Sequence, residues 1–581
     1  MSMPVIPSGL ALPSGRAQAQ GPPASGALTL RTPAWMLTAA FGVAYLIAAP
    51  PSGDLAAATY RSDLFARVGL GVWDNGWYDG HHLPAYSLLA PALGWLVGPR
   101  LLAVLSLIAA SALFSALIRD RFPAPAQRLA ALWFALGAAV ALLSCRVAFD
   151  LGLAAGLAAL VAAQRGWRWR ALSLAALCSI ASPVAGGFLA LAALAWALAA
   201  RPARLGVALV AAALAPLALL ALAFPEGGSQ PYVASAFYPV LAVVLTIAAV
   251  IAVGGSRRLH GPATQLAWST SSRVLATGAL LYAGALIAAY VAKTPLGGNV
   301  NRLGALIAGP VAACVLAGGM RGGWRAGVLL ALSAPLLYWQ ANAPAADFAS
   351  ATSDPAVKRA YYAPLLAELQ RLGIGYEAHP ARIEVVPTAD HWEAAYLAPH
   401  VALARGWERQ LDNARNAIFY RSSLTISPQE LRAWLLEEGI SYVALPDAPL
   451  DYSGRAEGRL LRASPPSYLR PVWSSRHWRL FAVRGAAPLA QRPASLTQLG
   501  SDSFTLRAPR AGTYTVRVRF TPYWALAEEG MPAVGGCVSR APEGWTTVQT
   551  RAGGSFHIVI DFAPDRMFNA GPRCTNGSAW A

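Results

Sequence analysis

Through its first 340 positions the chain alternates long apolar runs with short polar connections. A hydrocarbon core about 30 Å thick takes roughly 20 apolar residues per helical crossing. In lipid the backbone satisfies its own polar groups only as a helix or a closed barrel. The runs here are continuous and Leu/Ala-rich rather than alternating, which predicts helices. They fall at 34–51, 84–118, 129–145, 147–163, 171–182, 183–200, 205–224, 234–253, 274–292, 302–318 and 326–340, about 11 transmembrane helices. The 84–118 run is one crossing broken at Pro99, and 171–200 is two helices meeting at Ser182-Pro183.

After residue 340 the pattern changes. "YYAPLLAELQRLG" (361–373) has helical periodicity and stops at Gly. "SPQELRAWLLEEG" (427–439) sets Ser427 at the N-cap, Pro428 at the first helical position and Glu430 at the capping-box position. "RIEVVP" (382–387), "SYVALP" (441–446) and "WRLFAVR" (478–484) read as strands, so 341–485 is a small α/β module. Past a polar linker, "SFTLRAP", "GTYTVRVRF" and "SFHIVIDF" alternate apolar and polar residues between Gly/Pro turns, predicting a β-sandwich over 500–581. Residues 1–30, rich in Pro, Gly, Ala and Ser, read as a disordered tail. The apolar run after Arg31 is a retained first helix, since "IAAPPSG" makes a poor cleavage site.

Charge fixes the expected orientation. "RDRFPAPAQR" (119–128), "QRGWRWR" (164–170), "RPAR" (201–204), "GGSRRLH" (254–260) and "MRGGWR" (320–325) are Arg-rich, and the intervening loops are not. Eleven crossings put all of these on one side, which the positive-inside rule makes cytoplasmic. The net charge of +18 therefore reports topology and not nucleic-acid binding. The expectation is a multi-pass plasma (inner) membrane protein with a cytoplasmic N-terminus. The first loop (52–83) and everything past 340 are then extracytoplasmic. In an oxidising compartment Cys537 and Cys574 can pair, while Cys145, Cys178 and Cys314 sit in or beside apolar segments as free thiols.

The candidate chemistry gathers on that outer side. Asp54 follows the first helix at once, as an N-cap or a catalytic acid. Residues 55–68 read as an amphipathic helix along the membrane surface, with Ala57, Tyr60, Leu64 and Val68 on one face and Thr59, Asp63 and Arg67 on another. Asp63 and Arg67 are spaced i,i+4, so Asp63 is either a surface ion-pair partner or a second acid. "WDNGWYDGHH" (73–82) is turn-rich, which accounts for part of its Asp74 and Asp79. Its aromatic residues are interfacial belt residues or a sugar platform, and His81 with His82 could hold a divalent metal. "CRVAFD" (145–150) adds Arg146 and Asp150, and "GGNVNRLG" (297–304) adds Asn299, Asn301 and Arg302. An Arg beside helix-start amides is a reasonable phosphate site. The predicted helix interiors carry almost no ionisable residue, which argues against an ion-coupled transporter.

The loop "GDLAAATYRSDLF", with an acid just after the first helix, resembles that of the GT-C class of integral-membrane glycosyltransferases. More closely, "YRSDLFARVGLGVWDNGWYDGHHLPAYS", "GNVNRLG", "HWEAAYLAPHVALARGWERQLD" and "YVALPDAPLDY" look like an actinobacterial membrane family labelled 6-pyruvoyl-tetrahydropterin-synthase-related. The GT-C resemblance implies transfer of a sugar from a polyprenyl-phosphate carrier to a cell-envelope glycan or other acceptor. It implies Asp54 as general base, with Arg302 and Arg146 neutralising the departing phosphate. Trp73, Trp77 and Tyr78 would present ring faces to sugar, and His81 and His82 would orient the acceptor or help hold a metal. Tyr60, Arg61, Asp74, Asn299 and Asn301 complete the substrate-binding set, and no cofactor is implied with certainty. His391, Glu393, Arg405, Trp407, Glu408 and Arg409 either bind acceptor glycan or lace a domain face with ion pairs. "TPYWALAEEG" (521–530) is a glycan-binding edge, or Trp524 caps the core. Two other classes compete: a flippase or transporter of lipid-linked precursors, and a non-catalytic envelope scaffold. The transferase reading requires Asp54 and Arg302 to serve one outer cavity, no more than about 15 Å apart.

Overall fold

A computed structural model describes residues 33–119, 121–200, 203–255, 262–317, 323–376, 379–421, 425–527 and 535–575. The tail expected over 1–30 lies outside the described residues, as do most of 254–260 and residues 320–322 and 528–530.

The apolar part is a helix bundle: α1 (Trp35–Ala48), α2 (Gly53–Val68), α3 (Ala90–Val97), α4 (Pro99–Ile118), α5 (Ala124–Ala141), α6 (Val147–Gln164), α7 (Arg168–Ala181), α8 (Pro183–Ala199), α9 (Arg204–Ala223), α10 (Ala234–Gly255), α11 (Pro262–Val291), α12 (Asn301–Leu316) and α13 (Gly323–Ser353). This is a helical membrane protein. Among the described residues, seven helical stretches are long and apolar enough to cross a bilayer: α4, α5, α6, α9, α10, α11 and Gly297–Leu316. An eighth is reached if α1 and α2, bent by 75°, count as one span.

The expected eleven crossings are not confirmed, for local reasons. α1 and α7 have 14 residues each, about 21 Å at 1.5 Å per residue, short of a full crossing. The 84–118 run splits where Gly98 takes a left-handed φ of 85° before Pro99. The 171–200 run is indeed two helices, with Pro183 opening α8 and Ser182 accepting from Ala185 N at 3.4 Å as its N-cap. α13 continues well past the expected end at 340.

The remainder sits on one end of the bundle. Its α/β module contains α14 (Arg359–Arg371), α15 (Glu393–Tyr396), α16 (Arg409–Arg415), α17 (Pro428–Glu437) and α18 (Arg455–Ala463). These surround strands β3 (Arg382–Val385), β4 (Ala402–Leu403), β5 (Ile440–Pro446), β6 (Leu469–Ser474) and β7 (Trp478–Val483). The sheet order is β4-β3-β5-β7-β6, parallel on the β4-β3-β5 side and antiparallel on the other. The capping box on α17 forms in both directions between Ser427 and Glu430.

The β-sandwich has sheets β10-β13-β12-β15 and β11-β14-β9-β8. Its strands are β8 (Ser495–Leu499), β9 (Ser503–Ala508), β10 (Gly512–Arg519), β11 (Trp524–Leu526), β12 (Gly536–Arg540), β13 (Trp545–Thr550), β14 (Gly554–Ile560) and β15 (Arg573–Cys574). Phe504, Leu506, Val516, Val518, Val548, Phe556 and Ile558 point between the sheets. Trp524 belongs to that core and is buried, so it caps the core and is no glycan-binding edge. Cys537 and Cys574, register partners on β12 and β15, are joined as a disulfide.

Candidate functional site

α2 is not a helix with a single buried face. Leu55, Ala56, Ala57, Tyr60, Arg61, Ser62 and Leu64 of α2 are all buried, which covers more than one helical face. α2 is clasped between α3 and α4 on one side and α15 on the other. Arg61 is held by the Glu408 carboxylate at 2.9 Å and lies over the ring of Tyr86 at 3.9 Å. Tyr60 donates to both Asp74 oxygens, at 3.1 and 2.9 Å. Asp63 is exposed, and Arg67 turns to the Pro399 carbonyl at 3.5 Å.

The hairpin formed by β1 (Trp73–Asp74) and β2 (His81–His82) is a wedge, and this corrects the expected sugar platform. Trp73, Trp77 and Tyr78 are 1%, 0% and 1% exposed, so none presents a ring face to a ligand. Trp73 joins the sandwich core. Trp77 reaches the Ala394 carbonyl at 3.1 Å, and Leu403 N donates to Gly76 O at 2.9 Å. Tyr78 and Asp79 take positive φ values of 55° and 65° at the Asp-Gly turn. Asp79 pairs with Arg382 at 2.5 Å and Arg519 at 3.5 Å. Arg415 donates to the carbonyls of Tyr78 and Gly80 at 2.6 and 2.5 Å. Asn75 N donates to Ser501 O at 2.6 Å. The wedge thus ties the bundle to the α/β module and the sandwich at once.

The histidine pair points two ways, as neighbours on a strand do. His81 stacks on Trp77 at 5.6 Å, with neither ring nitrogen hydrogen-bonded, and burial pushes it down to about 3. It is a neutral core ring. His82 lies between Glu226 (2.9 Å) and Thr521 (3.0 Å). Burial alone would raise the Glu226 carboxyl, but the His82 bond and the Arg415 guanidinium outweigh it and hold it at about 2. Burial pushes Asp74 up to about 6, against bonds from Gly76 and Tyr60. Among the described residues no three His, Cys, Asp or Glu side chains come together as metal ligands.

The segment 391–412 is also interior. Arg405 pairs with Asp412 at 2.5 Å and Arg409 with Asp451 at 2.7 Å. His391 lies 3.3 Å from Glu393 and 3.5 Å from Asp451, and stacks on Trp407 at 3.8 Å. Ion pairing, and not an open glycan face, accounts for these residues. Trp407 has a second contact: its Nε1 donates to the Gly53 carbonyl at 2.8 Å, one residue before Asp54.

A different group of predicted residues does converge. Arg146, at the N-cap of α6, donates Nε to Asp54 Oδ2 at 3.0 Å and Nη2 to Asp347 Oδ2 at 3.1 Å. Ser144 also donates to Asp347, at 2.5 Å. Burial raises the Asp347 carboxyl, partly offset by Arg146. Asp390, packed against Gly53, is pushed up to about 6 by burial while Ser350 donates to it at 3.0 Å.

Arg146, Asp150, Asn299, Asn301 and Arg302 all line one cavity of about 640 Å³ between α5, α6, α10, α12 and α13. Exposed Ser235 and Pro239 of α10 and exposed Pro335, Tyr338 and Asn342 of α13 form part of its rim. Asp54 is not in the wall and joins the cavity through Arg146.

Arg302 closes no ion pair among the described residues. Its guanidinium lies over Phe149 at 5.6 Å, within the field of Asp54, Asp150 and Arg146. Two buried atoms at the wall, Asp150 Oδ2 and Gln340 Nε2, have no hydrogen-bond partner. Asn301 accepts from Tyr232 at 2.5 Å. Phe149 and Leu306 also line a neighbouring apolar cavity of about 350 Å³, with Leu153, Leu157, Phe188 and Leu189. Asp347 and Asp390 escaped the sequence reading. The available signal was a lone acid in the Ala-rich run 341–351, which turned out to continue α13.

No family model and no curated protein matches the chain, so the membrane family expected from its motifs is not shown. Several solved structures are similar to it, among them the following three. The arabinofuranosyltransferase AftD from Mycobacteria is 13% identical with a TM-score of 0.40, covering 92% of this chain and 57% of that one. A mutant of that protein, in its second class, is 14% identical with a TM-score of 0.41, covering 91% and 60%. The same mutant in its first class is 16% identical with a TM-score of 0.38, covering 80% and 41%. The chain thus spans about three fifths or less of the length of these structures.

Proposed function

We propose that the protein is a membrane glycosyltransferase that moves a sugar from a polyprenyl-phosphate carrier to an extracytoplasmic acceptor such as a cell-envelope glycan. The observation that carries this is Arg302, a guanidinium without an ion-pair partner among the described residues, on the wall of a large cavity beside the Asp54–Arg146–Asp347 cluster. An unpaired cation in such a place favours an anionic ligand. The cavity rim between α10 and α13 suits a donor arriving from the lipid side, and the apolar cavity beyond Phe149 and Leu306 suits its prenyl chain. In this reading the cell membrane holds the bundle, and the strand-bearing domain stands outside.

The reaction is a displacement at the anomeric carbon. The acceptor oxygen forms a bond to that carbon while the bond to the phosphate oxygen breaks, and its electron pair leaves with the phosphate. Arg302 and Arg146 stabilise the negative charge that develops there. The acceptor hydroxyl proton passes to Asp54, the carboxylate at the cavity's edge. Asp347 shares Arg146 with Asp54 and keeps that guanidinium oriented. Asn299 and Asn301 provide neutral hydrogen-bonding groups for sugar hydroxyls.

The test is binding followed by turnover. Purified protein should bind a synthetic polyprenyl phosphate, and Arg302→Ala should weaken that binding about 10- to 100-fold, the worth of one charge-assisted contact. Asp54→Asn should retain binding yet fail to restore the envelope glycan missing from a deletion strain. Equal affinity of wild type and Arg302→Ala for the lipid phosphate sinks the proposal.

A further inference from the structure

The β-sandwich rests on one particular membrane helix. Tyr523, just before β11, donates its hydroxyl to the carbonyl of Ala223, the last residue of α9, at 2.6 Å. Phe224 then packs against Tyr523 at 5.8 Å and Phe562 at 5.7 Å. Ala223, Phe224 and Tyr523 are buried together, with Leu220 and Met567 against them. α9 is long and apolar enough to cross a bilayer, and a crossing by its 20 residues, about 30 Å, puts its last turn where hydrocarbon gives way to headgroups. The loop after β14 therefore lies at that level too.

This loop is built to hold a ring outward. Pro564–Met567 forms a short 3-10 turn. The buried Arg566 ties it down, donating Nε to Pro522 O at 3.1 Å and Nη2 to Gly571 O at 2.6 Å. Asn569 accepts from Gly571 N at 2.9 Å, and Arg573 pairs with Asp561. At its tip Phe568 is 78% exposed, and Phe562 beside it is 44% exposed. The adjacent turns of α9 present Leu219 and Leu222, also largely exposed. The aromatic surface of the sandwich is thus continuous with the lipid-facing surface of a helix. Exposed apolar side chains such as Phe and Leu beside a membrane bury in the headgroup/acyl boundary, which removes their surface from water.

We propose that residues 561–573 form a membrane-contact site, with Phe568 and Phe562 seated in the headgroup/acyl boundary at the end of α9. The partner is the lipid surface itself. The sandwich is then held at two points, by the hydrogen bond to α9 and by the bilayer beside it. Nothing in this depends on which reaction the cavity performs.

Spin labelling tests it in the intact chain. Phe568→Cys and Thr513→Cys are each labelled and reconstituted into vesicles of phosphatidylcholine and phosphatidylglycerol. Wild type is carried through in parallel to subtract the buried Cys145, Cys178 and Cys314. Thr513 is an exposed reference: it lies beside Gly512, which pairs with Thr550, at the end of β14 opposite to the loop. Both positions are exposed, so both variants should melt as wild type does. Power saturation should give a ratio of oxygen to water-soluble nickel chelate accessibility several-fold higher at 568 than at 513. A ratio at 568 no higher than at 513 overturns the proposal.

Discussion

Asp54 and Asp63 lie nine positions apart on α2 and meet different surroundings. Asp54 touches Arg146 at the cavity edge, while Asp63 is exposed on the far side of the helix. Asp54→Asn should therefore lower sugar transfer at least about 100-fold, the usual worth of a general base. Asp63→Asn should leave the rate within about twofold, as expected of a surface position away from the chemistry. Equal losses in a product assay would refute the division. Asp74 gives a pH signature. Its buried carboxyl titrates at about 6, above the ~3.9 of an unfolded chain. Its folded form then holds a proton that the unfolded form has released, so stability present below about pH 4 is lost as pH rises through 6. Across that window the melting temperature of wild type should fall relative to Asp74→Asn and then level off. A constant difference from pH 4 to 7 would contradict it. At this scale the sequence was half readable. Spacing and helix-start position marked Asp54, Arg146 and Arg302, but no local pattern says whether Trp77 faces sugar or a core 317 residues further on.

Elements were easier to read than their partners. The strands at 382–385, 440–446 and 478–483 and the box at Ser427 arise from local alternation and capping, which one strand or one turn contains. The hairpin at 73–82 has turn signals too, yet its fate depends on Arg382, Arg415 and Arg519, residues contributed by elements far along the chain. Removing one side chain from this wedge should resemble removing one from a domain centre. Trp77→Ala should lower stability by about 3–5 kcal/mol, as for other buried aromatic truncations, read as a shift in the denaturation midpoint. Arg61→Ala should cost about 3 kcal/mol or more by stranding Glu408 without its partner. If Arg61→Met recovers most of that loss while Arg61→Ala does not, volume and not charge is the cause.

For the molecule as a whole, hydropathy and strand alternation announced a membrane protein with a strand-rich C-terminal region, while the expected eleven crossings are not confirmed: among the described residues seven helical stretches, or eight with the bent α1–α2 pair, are long and apolar enough. A hydropathy profile registers the apolar runs of α1 and α7 without showing that each helix has only 14 residues, or that α1 bends by 75° into α2. The wedge also decides what counts as a separable part. Residues 341–581 made alone lack Trp73, Trp77 and Asp79 from their interior, so limited proteolysis should degrade them readily. Fusing residues 69–89 to that segment should restore a protected fragment. Protection of the segment by itself would show that the wedge is dispensable. Evolution faces the same constraint as the protein engineer. The C-terminal domain cannot be exchanged between relatives as a cassette cut at residue 341, because one of its interior pieces is encoded some 260 residues upstream. A working hybrid has to inherit 73–82 and the domain it plugs from the same parent, so the two segments should change together as lineages diverge.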